Sequence, residues 1–134
     1  MDKNYYITTP IYYPSAKPHM GHAYSSIIAD FFARFKIIDD YQVHFLTGTD
    51  EHGLKIQRSA EKAGKEPLVF CDNISQTFRD LSDTLNLSNT DFIRTTEARH
   101  KKTVQHLWNE LEKNDDIYLS NYSGWYSVSD EALY

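Results

Sequence analysis

Alternation between extended and helical segments is the feature that most restricts how this chain folds. Residues 4–9 and 42–47 are rich in aromatic and β-branched residues, and residues 92–96 form a shorter stretch of the same kind. Each is followed by a segment whose apolar residues recur every three or four positions. Such alternation is typical of a parallel sheet joined by helical crossovers. The sequence therefore predicts an α/β protein with three parallel strands.

The helical segments can be placed from their boundary residues. A first helix is predicted after Pro18, whose missing N–H costs nothing in a first turn, and a second is predicted to stop at Gly64. A third helix and a fourth, over 97–113, each carry one apolar line, and in the fourth helix this line is expected to be buried. The two lines are Ile74, Phe78, Leu81 and Leu85, and Val104, Leu107, Trp108 and Leu111.

The tail from Ile117 changes character. It is aromatic and alternating, which predicts antiparallel strands, with a turn at Ser123–Gly124. Three strands make a small, open sheet, so we expect exposed edges and exposed apolar surface.

Composition excludes several classes of function. The net charge of −5 provides no overall basic field for a nucleic acid, although a local basic patch stays possible. The single cysteine, Cys71, excludes an internal disulfide and a cysteine-rich zinc site. The N-terminus lacks the apolar core of a signal peptide, and no apolar run approaches the ~20 residues that span a bilayer. We expect a soluble, cytoplasmic protein without a membrane partner.

Polar residues cluster where the first two predicted strands end. Ligands of open α/β sheets bind at the carboxyl ends of the strands, and the loops 10–19 and 48–53 both lie at such ends. If these strands are neighbours, one crevice could hold five side chains, namely Tyr13, His19, His22, Asp50 and His52.

His19 and His22 stand three residues apart at a predicted helix start, and three interpretations are open. Free N–H groups and the helix dipole there suit a phosphate, to which imidazoles add donors, and Gly21 would let a flat ligand approach. Residues at i and i+3 could also ligate a metal with Asp50 or His52, although no glutamate general base lies nearby. Alternatively, the two histidines simply cap the helix.

Two longer segments resemble a known family. The stretches "TTPIYYPSAKPHMGHAYSSIIADFFARF" and "FLTGTDEHGLKIQ", followed by "GWYSVSDEALY", resemble the start of bacterial methionyl-tRNA synthetases, which are class I aminoacyl-tRNA synthetases. Residues 19–22, His-Met-Gly-His, match the class I signature H-x-G-H. The signature also occurs in related nucleotidyltransferases, whereas the flanking segments are far more specific.

The resemblance implies a Rossmann-like catalytic domain that uses ATP with Mg²⁺ to activate methionine and transfers it to tRNA(Met). It implies that His19, His22 and Asp50 are catalytic, that His19, Gly21 and His22 bind ATP, and that Pro10, Ile11, Tyr13 and Asp50 bind methionine. Without the resemblance, Asp50 would be read as a turn residue, and Ile11 and Tyr13 as core residues.

The chain also departs from the family pattern. The K-M-S-K-S-type loop that grips the triphosphate is absent, so we expect residues 1–116 to be the N-terminal half of the catalytic domain and 117–134 the start of its connective insertion. Ser127 and Asp130 stand in the stretch where zinc-binding relatives have cysteines, and no zinc or other metal site is predicted. We expect the chain alone to be inactive and only marginally stable. A different H-x-G-H nucleotidyltransferase and a non-catalytic fragment are the alternatives.

Overall fold

A computed structural model describes residues 3–130 and 132–134 of the chain. The described residues fall into two compact units, which divide between Lys101 and Lys102. The elements run in the order β1 (Asn4–Thr8), α1 (Met20–Ile38), β2 (Gln42–Thr49), α2 (Leu54–Lys62), α3 (Pro67–Thr84), β3 (Asp91–Arg94), α4 (Ala98–Lys113), β4 (Tyr126–Ser127) and β5 (Ala132–Leu133). The predicted strand–helix alternation is confirmed.

The first unit contains a three-stranded parallel sheet in the order β1-β2-β3. Asn4 pairs with Gln42 at its start, and Thr49 pairs with Arg94 at its end. The Rossmann-like α/β class expected from the sequence is confirmed, and the neighbouring positions of β1 and β2 bring their following loops together.

Helix α1 packs on one face of this sheet. Burial alternates along β1 and through Thr47 of β2, as the two-residue period of a strand requires, whereas Gly48 and Thr49 are both buried. Phe45, buried on β2, packs with Ala29 and Ala33 of α1. A second core cluster joins Tyr12, Phe78 and Phe92.

Helix α1 packs through small residues. Its buried positions are Ala23, Ser26, Ala29, Asp30 and Ala33. The large apolar side chains that gave the helix its periodicity are exposed, and they are Met20, Tyr24, Ile27, Ile28, Phe31, Phe32 and Phe35. Helix α1 therefore carries part of the exposed apolar surface expected from the sequence, and further exposed apolar side chains lie on α4 and in the tail.

Of two predicted helix boundaries, one needs adjustment and the other is confirmed. Pro18 lies outside α1 rather than in its first turn, because His19 is the capping residue and the helix begins at Met20. The end of α2 before Gly64, which has a φ of 64°, is confirmed. None of the helices within 3–130 and 132–134 is long and apolar enough to cross a bilayer.

The second unit corrects two predictions. Helix α4 has no buried residue, and Val104, Leu107 and Trp108 are each about half exposed. The periodicity identified an apolar face correctly, but burial also requires a surface packed against that face. The predicted burial of this line was wrong.

The antiparallel strands of the tail are confirmed as β4 and β5, but the turn is not at Ser123–Gly124. It lies at residues 128–130, where the Ser127 hydroxyl donates to Asp130 at 2.7 Å. Gly124 serves a different purpose, because a Cβ there would lie 2.6 Å from the carbonyl oxygen of Tyr134. Glu131, in the quoted "GWYSVSDEALY", lies outside the described residues, as do Met1 and Asp2.

Candidate functional site

The loop after β1 returns to the sheet at Tyr12 and extends its carboxyl edge. The Tyr12 N–H donates to the carbonyl of Gly48 at 3.0 Å, and the Asp50 N–H donates to the carbonyl of Tyr12 at 2.9 Å. Tyr12 thus forms a parallel bridge with Thr49 beyond the end of β1. This bridge sets the first loop directly beside Asp50.

Tyr12 also fixes the start of α1, a role that sequence reasoning missed. Its buried hydroxyl hydrogen-bonds to Ser26 at 2.9 Å and donates to the carbonyl of His22 at 3.3 Å. Its ring lies against those of His22 and Phe78, with centroid separations of 4.8 and 5.5 Å. The resemblance assigns a site role to the neighbouring Tyr13 and none to Tyr12, and the two tyrosines differ in that Tyr12 is buried and Tyr13 is exposed.

His19 and His22 cap α1 reciprocally. The Gly21 N–H donates to Nδ1 of His19 at 3.0 Å, and the His19 N–H donates to Nδ1 of His22 at 3.1 Å. The two imidazole centroids are 3.9 Å apart. Because each Nδ1 acts as an acceptor, each neutral ring carries its proton on Nε2.

The electrostatics favour a neutral His22. Burial lowers the pKa of His22, and the neighbouring His19 lowers it further. The pair therefore presents N–H donors at a helix N-terminus without two full positive charges, in a place where the helix dipole also favours an anion.

Gly21 is required for this arrangement. A Cβ at this position would lie 2.9 Å from Cε1 and 3.1 Å from Nδ1 of His19. Any larger residue would press on the imidazole that caps the helix. The structure thus gives Gly21 a local steric role, which does not test the expected approach of a nucleotide.

The other expected site residues are distributed along the same edge. Pro10, Ile11 and Tyr13 are exposed, so the alternative interpretation of Ile11 and Tyr13 as core residues is wrong. Lys55 Nζ lies 5.6 Å from the centroid of the Tyr13 ring. His52 turns toward β3, with its Nε2 3.3 Å from the carbonyl oxygen of Thr95.

Asp50 is half-buried at the end of β2. Its backbone N–H is fixed by Tyr12, whereas its carboxylate has no hydrogen-bond donor within the described part of the chain. A carboxylate in this position is free to accept a cationic group from a ligand.

Behind Asp50 lies an ion pair that the sequence did not indicate. Arg94, at the end of β3, donates to both carboxylate oxygens of Glu51, at 2.7 and 3.0 Å. Burial alone would raise the pKa of Glu51, but hydrogen bonds from Arg94, Thr96 and Thr49 outweigh it and hold the pKa below its ordinary value. The partners are 43 residues apart, so local spacing could not reveal the pair.

No group of three or more His, Cys, Asp or Glu side chains suited to a metal occurs within 3–130 and 132–134. Both Nδ1 atoms of the histidine pair are occupied by backbone donors, which leaves one nitrogen per ring for any ligand.

A comparison with protein families matches residues 5–134 to the class I tRNA synthetases (M). The chain is 56% identical over 132 residues to the mitochondrial methionine–tRNA ligase of Takifugu rubripes, covering 98% of this chain and 22% of that protein. It is 52% identical over 133 residues to methionine–tRNA ligase 1 of Bacillus cereus, covering 99% of this chain and 20% of that protein.

The fold has a solved counterpart. Mycobacterium tuberculosis methionyl-tRNA synthetase, in complex with methionyl-adenylate, superimposes with a TM-score of 0.94 at 50% identity, over 98% of this chain and 26% of that one. The chain thus spans about a fifth to a quarter of the length of these relatives.

Proposed function

This chain belongs to the class I tRNA synthetases (M), and on that premise we propose that it provides the ATP- and methionine-binding edge of a methionine–tRNA ligase. The observation that carries the proposal is the reciprocal histidine cap. Both Nδ1 atoms accept backbone N–H groups, so both Nε2–H groups point away from these bonds at the N-terminus of α1. That arrangement suits the phosphates of ATP.

The proposed first step joins methionine to AMP. A carboxylate oxygen of methionine attacks the α-phosphorus of ATP, the bond from that phosphorus to the bridging oxygen breaks, and pyrophosphate leaves. Negative charge grows on the phosphate oxygens during the attack, and the Nε2–H groups of His19 and His22 donate hydrogen bonds to it. Interactions that strengthen in the transition state raise kcat rather than ground-state affinity.

Asp50 is proposed to hold the α-ammonium group of methionine. Its carboxylate lies on the edge that also carries the exposed side chains of Pro10, Ile11 and Tyr13. An aliphatic and an aromatic side chain suit a flexible thioether through dispersion and sulfur–ring contact. Tyr12, which bonds to the backbone of both Asp50 and Gly48, fixes the spacing between this apolar surface and the carboxylate.

The proposal also covers the domain division, the metal ion and the final acceptor. We propose that residues 1–116 are the N-terminal half of a catalytic domain and that 117–134 begin its connective insertion. Mg²⁺ is proposed to arrive with ATP, since triphosphate oxygens are its usual ligands. The methionyl group would then pass to tRNA(Met), in the cytoplasm, where a single unpaired cysteine is compatible with the reducing conditions.

The test uses a chimera in which residues 5–134 replace the matching segment of the Bacillus cereus enzyme. Methionine-dependent ATP–pyrophosphate exchange is measured at saturating substrates. His22→Ala is expected to lower kcat by about 10²–10³, the usual cost of one oxyanion donor. His44→Ala is the matched control, because His44 is exposed and stacks on Tyr6 in the amino-terminal half of the sheet.

Each result bears on a different part of the proposal. Exchange that depends on another amino acid would favour a different adenylyl-transferring enzyme. Equal rates for His22→Ala and His44→Ala would refute the role of the histidine pair. The 134-residue chain alone is expected to give no exchange, and measurable exchange that His19→Ala abolishes would overturn that expectation.

A further inference from the structure

The side chain of Glu51 is fully buried next to Asp50, and the proposed reaction does not use it. Each of its oxygens accepts two hydrogen bonds. Oε1 accepts the Thr49 hydroxyl at 2.9 Å and Nε of Arg94 at 2.7 Å. Oε2 accepts a second Arg94 nitrogen at 3.0 Å and the Thr96 hydroxyl. A carboxylate so occupied is held in one orientation.

These bonds fix the chain on both sides of Asp50. Thr49 is fully buried and is tied to Glu51 through its hydroxyl. The Glu51 N–H donates to the Thr95 hydroxyl oxygen at 2.8 Å. Asp50, between them, is held by its own N–H to Tyr12. Each residue from Thr49 to Glu51 is therefore held by a hydrogen bond, while the Asp50 carboxylate stays available.

Arg94 connects this anchor to the rest of the unit. Besides Glu51, it donates to Asp72 of α3 at 2.6 Å. One planar guanidinium thus joins the ends of β2 and β3 to a helix. A lysine would keep the charge but would lose the fork that grips two carboxylates at once.

We propose that the Glu51–Arg94 pair positions Asp50 for the substrate's ammonium group. This inference rests on the proposed function, because the ammonium contact is part of it. Misplacing a binding group by about 1 Å can cost up to on the order of a hundredfold in kcat/KM. A half-buried aspartate with no donor of its own in the described chain depends on its backbone for placement.

The first test measures amide hydrogen exchange by NMR in the 134-residue chain. Glu51→Gln and Arg94→Lys are expected to speed exchange of the Asp50 amide about tenfold more than that of Ala33 in α1. Asp30→Asn is the control, since Asp30 is also a bonded, mostly buried carboxylate but contacts Arg34 and Ser88 instead. If the Asp50 and Ala33 amides change in step in every variant, the proposal is refuted.

The second test measures KM and kcat in the chimera. Glu51→Gln and Arg94→Lys are expected to raise KM for methionine on the order of tenfold, with kcat and KM for ATP changing less than about threefold. Asp30→Asn should leave KM for methionine unchanged. A rise in Glu51→Gln without one in Arg94→Lys would point to charge rather than geometry and would overturn the proposal.

Asp50→Asn separates the two proposals. If it raises KM for methionine while Glu51→Gln does not, the positioning role fails and the proposed function stands. If Asp50→Asn leaves KM for methionine unchanged, the proposed ammonium contact is refuted. The amide hydrogen exchange rates then still decide whether Glu51 and Arg94 fix this segment.

Discussion

Replacing His19 by asparagine or by alanine separates the capping of α1 from the proposed contact with phosphate. Alanine removes both the Nδ1 acceptor of the Gly21 N–H and the Nε2–H donor. Asparagine is among the best capping residues and restores an acceptor, but it has no imidazole. The bond from the residue 19 N–H to His22 persists in both variants because it uses only the backbone of residue 19.

The two effects differ in size and in observable. Losing one cap bond costs about 1 kcal/mol, because the freed Gly21 N–H is exposed and can bond to water. For a domain of this size, that cost lowers Tm by about 4 °C. Losing one transition-state donor costs roughly 2.7–4 kcal/mol, or about 10²–10³ in kcat. Tm should therefore depend on whether residue 19 provides an acceptor for the Gly21 N–H, and kcat should depend on whether it carries an imidazole.

Thermal unfolding of the chain measures the first effect, and the kinetics of ATP–pyrophosphate exchange in the chimera measure the second. We expect His19→Ala to lower both Tm and kcat, and His19→Asn to restore Tm to within about 1 °C while kcat stays about a hundredfold low. If asparagine restores kcat as well, His19 acts only as a cap. If neither variant changes Tm, the capping bond has no role in stability.

Three further predictions concern the folded chain. Because the pKa of His22 is lowered in the folded chain, unfolding takes up a proton near pH 6. Acidification from about pH 7.5 to about 5.5 should therefore destabilise the chain, and the loss of stability should begin as the pH falls through the ordinary imidazole pKa of about 6.5. His22→Gln should flatten this dependence in urea titrations, and an unchanged slope would assign it to other groups. Gly48→Ala should destabilise by at least about 2 kcal/mol in the same assay, since its Cβ would lie 2.0 Å from the carbonyl oxygen of Ile93; a near-neutral result would contradict the close strand pairing. On α1, Phe31→Gln should change stability by less than about 0.5 kcal/mol, because Phe31 is 64% exposed, whereas Ala33→Leu should cost at least about 1 kcal/mol at a fully buried position. The reverse order would show that α1 buries its large face.

Local pattern was sufficient for the elements and their order. The strand period, the helical period and the stop signal at Gly64 each depend on neighbouring residues, so they can be read from sequence. Burial was harder, because it depends on what packs against a face. In α1 the small residues face the sheet, and in α4 the apolar line is exposed.

Long-range partners were the part of the site that sequence could not supply. Glu51 and Arg94 are 43 residues apart in the sequence, and no local spacing pattern around either residue indicates their contact. Tyr12 was missed for a related reason, because its inward direction follows from its bridge to Thr49. A signal existed in the parallel sheet itself: once β2 and β3 are neighbours, the residues at their ends must meet.

The histidine pair shows why capping and ligand binding need not be competing interpretations. An imidazole has two nitrogens, and in both His19 and His22 the Nδ1 atom accepts a backbone N–H at the start of α1. That bond also orients the ring and sets its tautomer, which places the proton on Nε2. The capping bond is thus the step that prepares the proposed phosphate donor. Folding and the proposed chemistry depend on different atoms of the same side chains, so substitutions that preserve one atom and remove the other can separate them.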